Sequence, residues 1–151
     1  MNLATKEKLM CTAIQEAQNA IAMGNSPFGA VLCNKEGEVI ERAHNTTNTD
    51  TNPTAHAEIN LIRKATKKLQ SKDLSEYILI SNVQSCPMCV CAAVKSKITH
   101  FIFGCAEDAT LLPPITVFEI NKYCKNTLTI ETGILQQECE EQLNKARNAK
   151  R

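Results

Sequence analysis

Tyr77-Ile78-Leu79-Ile80-Ser81-Asn82-Val83-Gln84-Ser85-Cys86-Pro87-Met88-Cys89 carries an apolar run directly into a helix start. Tyr77 to Ile80 suits a buried central strand, since a strand covered on both faces needs no polar alternation. From Cys86 a helix is expected to about Lys95, because a proline in the first turn gives up an N–H that has no helical acceptor anyway. Downstream, His100-Phe101-Ile102-Phe103 reads as another strand, Pro113-Pro114 as a break, and Val117 to about Cys124 as a short helix. Leu128-Thr129-Ile130 reads as a last strand and Leu135 to Ala149 as a last helix. Upstream, about Lys6 to Met23 is an amphipathic helix with Leu9, Met10, Ala13, Ile14, Ala17, Ala20 and Ile21 on one side. It ends at Gly24-Asn25-Ser26-Pro27. Ala30-Val31-Leu32-Cys33, the turn Asn34-Lys35-Glu36-Gly37 and Val39-Ile40 form a hairpin. A polar loop from Asn45 to Asn52 leads to a second helix, expected from near Pro53 to about Leu69. Helices alternating with strands after a hairpin imply an α/β protein with a mixed sheet between helical layers, three layers in all. The whole chain, 1–151, is expected to be one domain.

Composition narrows the function classes. The net charge is +1, with 43% hydrophobic and 22% charged residues. A dedicated nucleic-acid domain is usually far more basic. No apolar run approaches the ~20 residues of a membrane helix. The opening Met1-Asn2-Leu3-Ala4-Thr5-Lys6-Glu7-Lys8 has no apolar leader, so a cytoplasmic protein with reduced thiols is expected. Eight cysteines in 151 residues fall short of the ~8–10% of small disulfide scaffolds.

Two segments carry the chemistry, Thr54-Ala55-His56-Ala57-Glu58 and Ser85-Cys86-Pro87-Met88-Cys89. Cys86 and Cys89, at i and i+3, share a helix face. A helix N-terminus stabilises the thiolate form that binds metal. A closed structural zinc site uses four protein ligands, whereas His56, Cys86 and Cys89 make three. Three ligands leave a position for water, the catalytic arrangement. His44 and His100 are expected to lie at strand ends, away from these helix starts. Glu58, about 200° around a regular helix from His56, can still reach toward the metal from the first turn. There it would take a proton from zinc-bound water, and would then protonate the ring nitrogen and the departing amine. Taken singly, Cys-x-x-Cys also occurs in redox and structural-zinc sites, and His-x-Glu also occurs on plain helix surfaces.

Together, His56-Ala57-Glu58 and Cys86-Pro87-Met88-Cys89 resemble the signature of the cytidine and deoxycytidylate deaminase superfamily, in its branch of guanine deaminases and tRNA adenosine deaminases. Ser26-Pro27-Phe28-Gly29-Ala30-Val31, His44-Asn45, Asn52-Pro53 and Phe103-Gly104 extend the resemblance over roughly Ala4 to Ala149. It implies a five-stranded sheet flanked by helices, one zinc ion per subunit, and a homodimer with its active site near the interface. It also implies that Asn45 hydrogen-bonds the base or sugar edge, that the Ala57 backbone N–H meets the base, and that Phe28 lines the pocket. One departure is Gln84-Ser85, where the family usually has Glu-Pro. Ser85 is expected to cap the helix by accepting from the Met88 N–H, and to sit beside the substrate.

The expected activity is therefore zinc-dependent hydrolytic deamination of a purine or pyrimidine base, a nucleoside or a related heterocycle, guanine deaminase-like. The alternative with the same chemistry is a tRNA-specific adenosine deaminase, with Lys145, Arg147, Lys150 and Arg151 touching phosphate. The C-terminal tail resembles those enzymes and lacks the aromatic that guanine deaminases supply. An alternative of another class is a noncatalytic zinc-stabilised interaction module or partner subunit.

Overall fold

A computed structural model describes residues 1–106 and 111–149. Its elements, in chain order, are α1 (Leu3–Ala22), β1 (Gly29–Cys33), β2 (Val39–His44), α2 (Ala57–Leu69), β3 (Ile78–Val83), α3 (Pro87–Lys95), β4 (His100–Cys105), α4 (Val117–Asn121), β5 (Thr129–Glu131) and α5 (Gln136–Ala149). The five strands form one sheet in the order β2-β1-β3-β4-β5. β1 is antiparallel to both β2 and β3, while β3, β4 and β5 run parallel. The sheet is thus mixed, as the hairpin followed by strand–helix–strand units requires.

Side-chain alternation divides the core into two layers. Ala30 and Leu32 of β1, Leu79 of β3, and Phe101 and Phe103 of β4 pack with Leu61 and Ala65 of α2 and Val90 and Ala93 of α3. Val31 and Cys33, Ile78 and Ile80, and Ile102 face the other way, onto Leu9, Met10 and Ala13 of α1 and Cys139 and Leu143 of α5. Phe101, Phe103, Leu79 and Ile80 are fully buried, and each such side chain contributes about 1.5–3 kcal/mol of hydrophobic stabilisation.

Two helix starts differ from expectation, each for a local reason. α1 begins at Leu3 because the Asn2 side chain accepts from the Thr5 N–H at 2.9 Å, a cap that adds the residues before Lys6. α2 begins at Ala57, not near Pro53. The Asn52 carboxamide accepts from both the N–H and the hydroxyl of Thr54, at 2.9 and 2.8 Å, and this turn keeps 52–54 out of the helix. His56 becomes the extended N-cap of α2, with φ −70° and ψ 156°.

The site is positioned by one close approach. A Cβ on Gly29 would stand 2.1 Å from the Ala13 carbonyl oxygen of α1. Only glycine lets β1 enter the sheet so near that helix, and the residue before it, Phe28, is held at the mouth of the sheet.

Candidate metal centre and cleft

β3 ends at Val83, and the chain turns through Gln84 and Ser85 to Cys86, the extended N-cap of α3, with Pro87 in the first turn. Cys86, not Ser85, is therefore the N-cap, and no side chain caps this helix. Ser85 is buried, with no hydrogen-bond partner at ordinary distance for its hydroxyl. Its Oγ is turned inward toward Glu58, and Ser85 lines neither the cleft nor the chamber described below. The expected cap from Ser85 to the Met88 N–H is absent for that reason.

α2 packs on α3, which brings the two helix N-termini together. Cys86 Sγ lies 3.6 Å from His56 Nδ1, Cys89 Sγ 3.4 Å from the same nitrogen, and the two sulfurs are 3.6 Å apart. A tetrahedral zinc with Zn–S of ~2.3 Å and Zn–N of ~2.0–2.1 Å would set S···S near about 3.8 Å and S···N near about 3.6 Å. The three donors fit that ion without rearrangement, and both thiols are free. No other group of three such donors occurs among the described residues. A backbone carbonyl at Pro53 also bonds the His56 ring, an outer contact of the kind that orients a ligating imidazole. The hydrogen-bond contact between the two sulfurs, against the cost of burial, brings the Cys86 thiol down to about 4. The same bond, with burial, pushes Cys89 up. His44 and His100 are elsewhere, paired with Glu16 at 2.8 Å and Glu131 at 2.6 Å.

Glu58, in the first turn of α2, is 5% exposed and outside the donor group. Burial pushes its carboxyl above the usual range, and the nearby Ser85 hydroxyl partly offsets that rise. It lines a chamber of about 30 Å³ with Phe28, His56, Val83, Gln84 and Cys86, above the ~10–15 Å³ that a water molecule needs. A larger cleft of about 710 Å³ opens from the same wall and includes Phe28, Asn45, Asn52, His56, Cys86 and Met88.

Asn45 is buried, and its Oδ1 accepts from the N–H and hydroxyl of Thr47 at 3.0 and 2.9 Å. Its amide nitrogen donates to nothing among the described residues and remains the group able to meet a ligand. The Ala57 N–H is at the first helical position, where no intrahelical acceptor exists. Two polar residues went unread in the sequence. Asn25 accepts from the Asn48 and Thr49 N–H groups, and Asn60 donates to the His44 carbonyl and Thr46 hydroxyl; together they hold the polar loop over the cleft. Only the density of Asn and Thr in that loop hinted at such anchors. Lys145 and Arg147 lie near the end of α5; Lys150 and Arg151 lie outside the described residues.

A family model for the cytidine and deoxycytidylate deaminase zinc-binding region matches residues 3–105. The chain belongs to the cytidine and deoxycytidylate deaminase family. As a member it is a zinc-binding deaminase, an enzyme that hydrolyses a C–N bond. Within the family it is 32% identical over 139 residues to the tRNA-specific adenosine deaminase of Haemophilus influenzae, covering 91% of this chain and 80% of that one. It is 42% identical over 107 residues to the guanine deaminase of Bacillus subtilis, covering 71% and 66%. A solved structure from work on A-to-I editing by tRNA deaminases at the wobble position superposes with a TM-score of 0.82 at 28% identity, covering 90% and 99%. The deaminase fold accounts for the five-stranded mixed sheet, and no helix is long and apolar enough to cross a membrane.

Proposed function

We propose that the chain deaminates a free purine-like base or nucleoside, with His56, Cys86 and Cys89 holding one zinc ion and Glu58 moving the protons. The observation that carries this reading is the composition of the cleft. His56 and Cys86 face the same space as Phe28 and Asn45, and among the described residues no Lys, Arg, Asp or Glu lines it. A partly apolar wall without Lys or Arg among its described residues suits a flat uncharged heterocycle and gives little purchase to a phosphate backbone.

When bound, zinc supplies the Lewis acidity that makes water a nucleophile near neutral pH. Phe28 packs against the base, the Asn45 amide donates to its polar edge, and the Ala57 N–H meets a ring carbonyl or nitrogen. Glu58 accepts the proton of the attacking water as oxygen bonds to the amine-bearing carbon. It delivers that proton to the adjacent ring nitrogen, then takes the second proton from the hydroxyl now on that carbon and passes it to the amine, so that the C–N bond breaks, a carbonyl forms and ammonia leaves. The burial of Glu58, which is 5% exposed, shields this exchange from bulk solvent.

A tRNA substrate is the second reading, favoured by the printed activity of the Haemophilus relative. Arg63, Lys64 and Lys67 of α2 line a separate groove, in company with Glu16 and Asp50, so they do not form a purely basic track. A homodimer is the proposed working form, since Leu112, Ile115 and Phe118 expose apolar side chains on the segment that reaches the cleft. The proposed location is the cytoplasm, which keeps the free thiols reduced. One domain over 1–151 is proposed to contain all of this. Ammonia release from guanine, cytosine, isocytosine, adenine, their nucleosides and a tRNA anticodon stem-loop tests the proposal. Turnover of a free base or nucleoside is expected, and release from the stem-loop alone would overturn it.

A further inference from the structure

Asn82 sits in β3 with no exposed surface and makes an unusual set of contacts for a strand residue. Its Oδ1 accepts from the Gly29 N–H at 3.0 Å, and its Nδ2 donates to the Pro27 carbonyl at 3.0 Å. The carboxamide therefore brackets Phe28 from the residue on either side. The same Nδ2 donates to Gln142 Oε1 of α5 at 3.3 Å, and Gln142 Nε2 donates to the Ile14 carbonyl of α1 at 3.0 Å. Phe28 itself contributes its carbonyl to the Asn45 N–H at 3.0 Å. Its ring lines both the cleft and the chamber beside Glu58. Gly29 cannot retreat, because α1 backbone lies directly behind it.

We propose that Asn82 is a positioning residue that, through Pro27 and Gly29, sets where the Phe28 ring stands between the base cleft and the metal ligands. It does so from the strand that leads into Cys86, so the aromatic wall and the metal site share one rigid support. A buried carboxamide is suited to this, because it satisfies a carbonyl and an N–H at once, and leaving either buried group unpaired is costly. Gln142 fixes the orientation of the amide and extends the support to α5. The consequence for turnover rests on the small-base reading above; the placement of Phe28 does not.

The chain has four phenylalanines, at 28, 101, 103 and 118, so fluorine NMR of protein labelled with 4-fluorophenylalanine can follow each ring, with Phe28→Leu identifying its signal. Asn82→Ala in the zinc-loaded protein is expected to shift or broaden the Phe28 signal. The Phe101 and Phe103 signals and the zinc content should stay as in the parent. With guanine as probe, KM should rise roughly tenfold while kcat changes less, as for loss of a binding wall. Gln142→Ala, on a half-buried helix position, should move the Phe28 signal in the same direction by a smaller amount, and it serves if Asn82→Ala does not fold. An unmoved Phe28 signal in a folded variant, or equal movement of Phe101 and Phe103, overturns the proposal. A parent protein that does not act on guanine overturns the choice of that substrate instead, and leaves the fluorine result to decide the role of Asn82.

Discussion

The sulfur of Cys89 lies 3.4 Å from Nδ1 of His56, across 33 positions of sequence and between two different helices. The packing of α2 on α3 brings the two residues together. α2 and α3 start side by side, and His56 and Cys89 occupy the N-cap of one and the first turn of the other. Replacing Cys89 by Ser should leave the helices in place and remove a soft ligand. Zinc should fall from about one per chain to near zero after dialysis, and the melting temperature should fall with it, because metal bound only by the folded state stabilises it. Elemental analysis and thermal denaturation check this. Retention of a full zinc ion by Cys89→Ser would rule out the proposed ligand set.

Glu58→Gln separates metal binding from proton transfer. Glu58 stands outside the donor group, so the variant should keep its zinc and its fold. Activity should fall by ~10²–10⁴-fold, the usual worth of general acid–base help. Steady-state kinetics on whichever base proves active, alongside zinc analysis, provides the check. Near-parental turnover would remove Glu58 from the mechanism.

The lack of Lys and Arg among the described residues of the cleft makes a prediction about salt. Binding to single-stranded RNA weakens by ~0.7 of a log unit per log unit of salt for each neutralised phosphate. A small-base enzyme with this cleft should show a KM nearly unchanged between low and moderate ionic strength. Truncation after Asn144 removes Lys145 and Arg147, together with Lys150 and Arg151, and should leave kcat/KM on the base within a few fold. Activity that appears only on a stem-loop and collapses with salt would instead favour the tRNA reading.

At the far edge of the sheet, Glu131 of β5 accepts from Lys6 of α1 and from His100 of β4 at 2.6 Å. Burial alone would raise its carboxyl, but the Lys6 and His100 contacts outweigh burial and hold it below the model-compound value of 4.5. A carboxylate lowered in the folded state stabilises at pH above its unfolded value. That contribution disappears as pH falls below 4.5 through the lower folded value. Glu131→Gln should therefore cost about 1 kcal/mol or less near neutrality, since the pair is partly solvated. The difference from the parent should vanish in acid. Melting temperatures measured across that range test the sign; a difference that grows on acidification would contradict it.

Much of the fold and of the metal site is legible in the sequence, because both rest on local rules. The apolar run from Tyr77 to Ile80 marked a strand covered on both faces, the turn at Asn34 to Gly37 made the hairpin, and Pro87 marked a helix start. The ligand set followed from the same locality, since spacing on one helix and the chemistry of thiolate and imidazole name Cys86, Cys89 and His56 before any contact is known. Tertiary structure alone decided the rest. Asn52 delayed α2 to Ala57 and so turned His56 toward the two sulfurs; Ser85 went inward, beside Glu58, where an N-cap had been expected; Asn82 bracketed Phe28 from a strand far from it in sequence. A buried polar side chain chooses its partners from whatever unpaired backbone the packing leaves within about 3 Å, and that choice exists only once the helices and strands have come together.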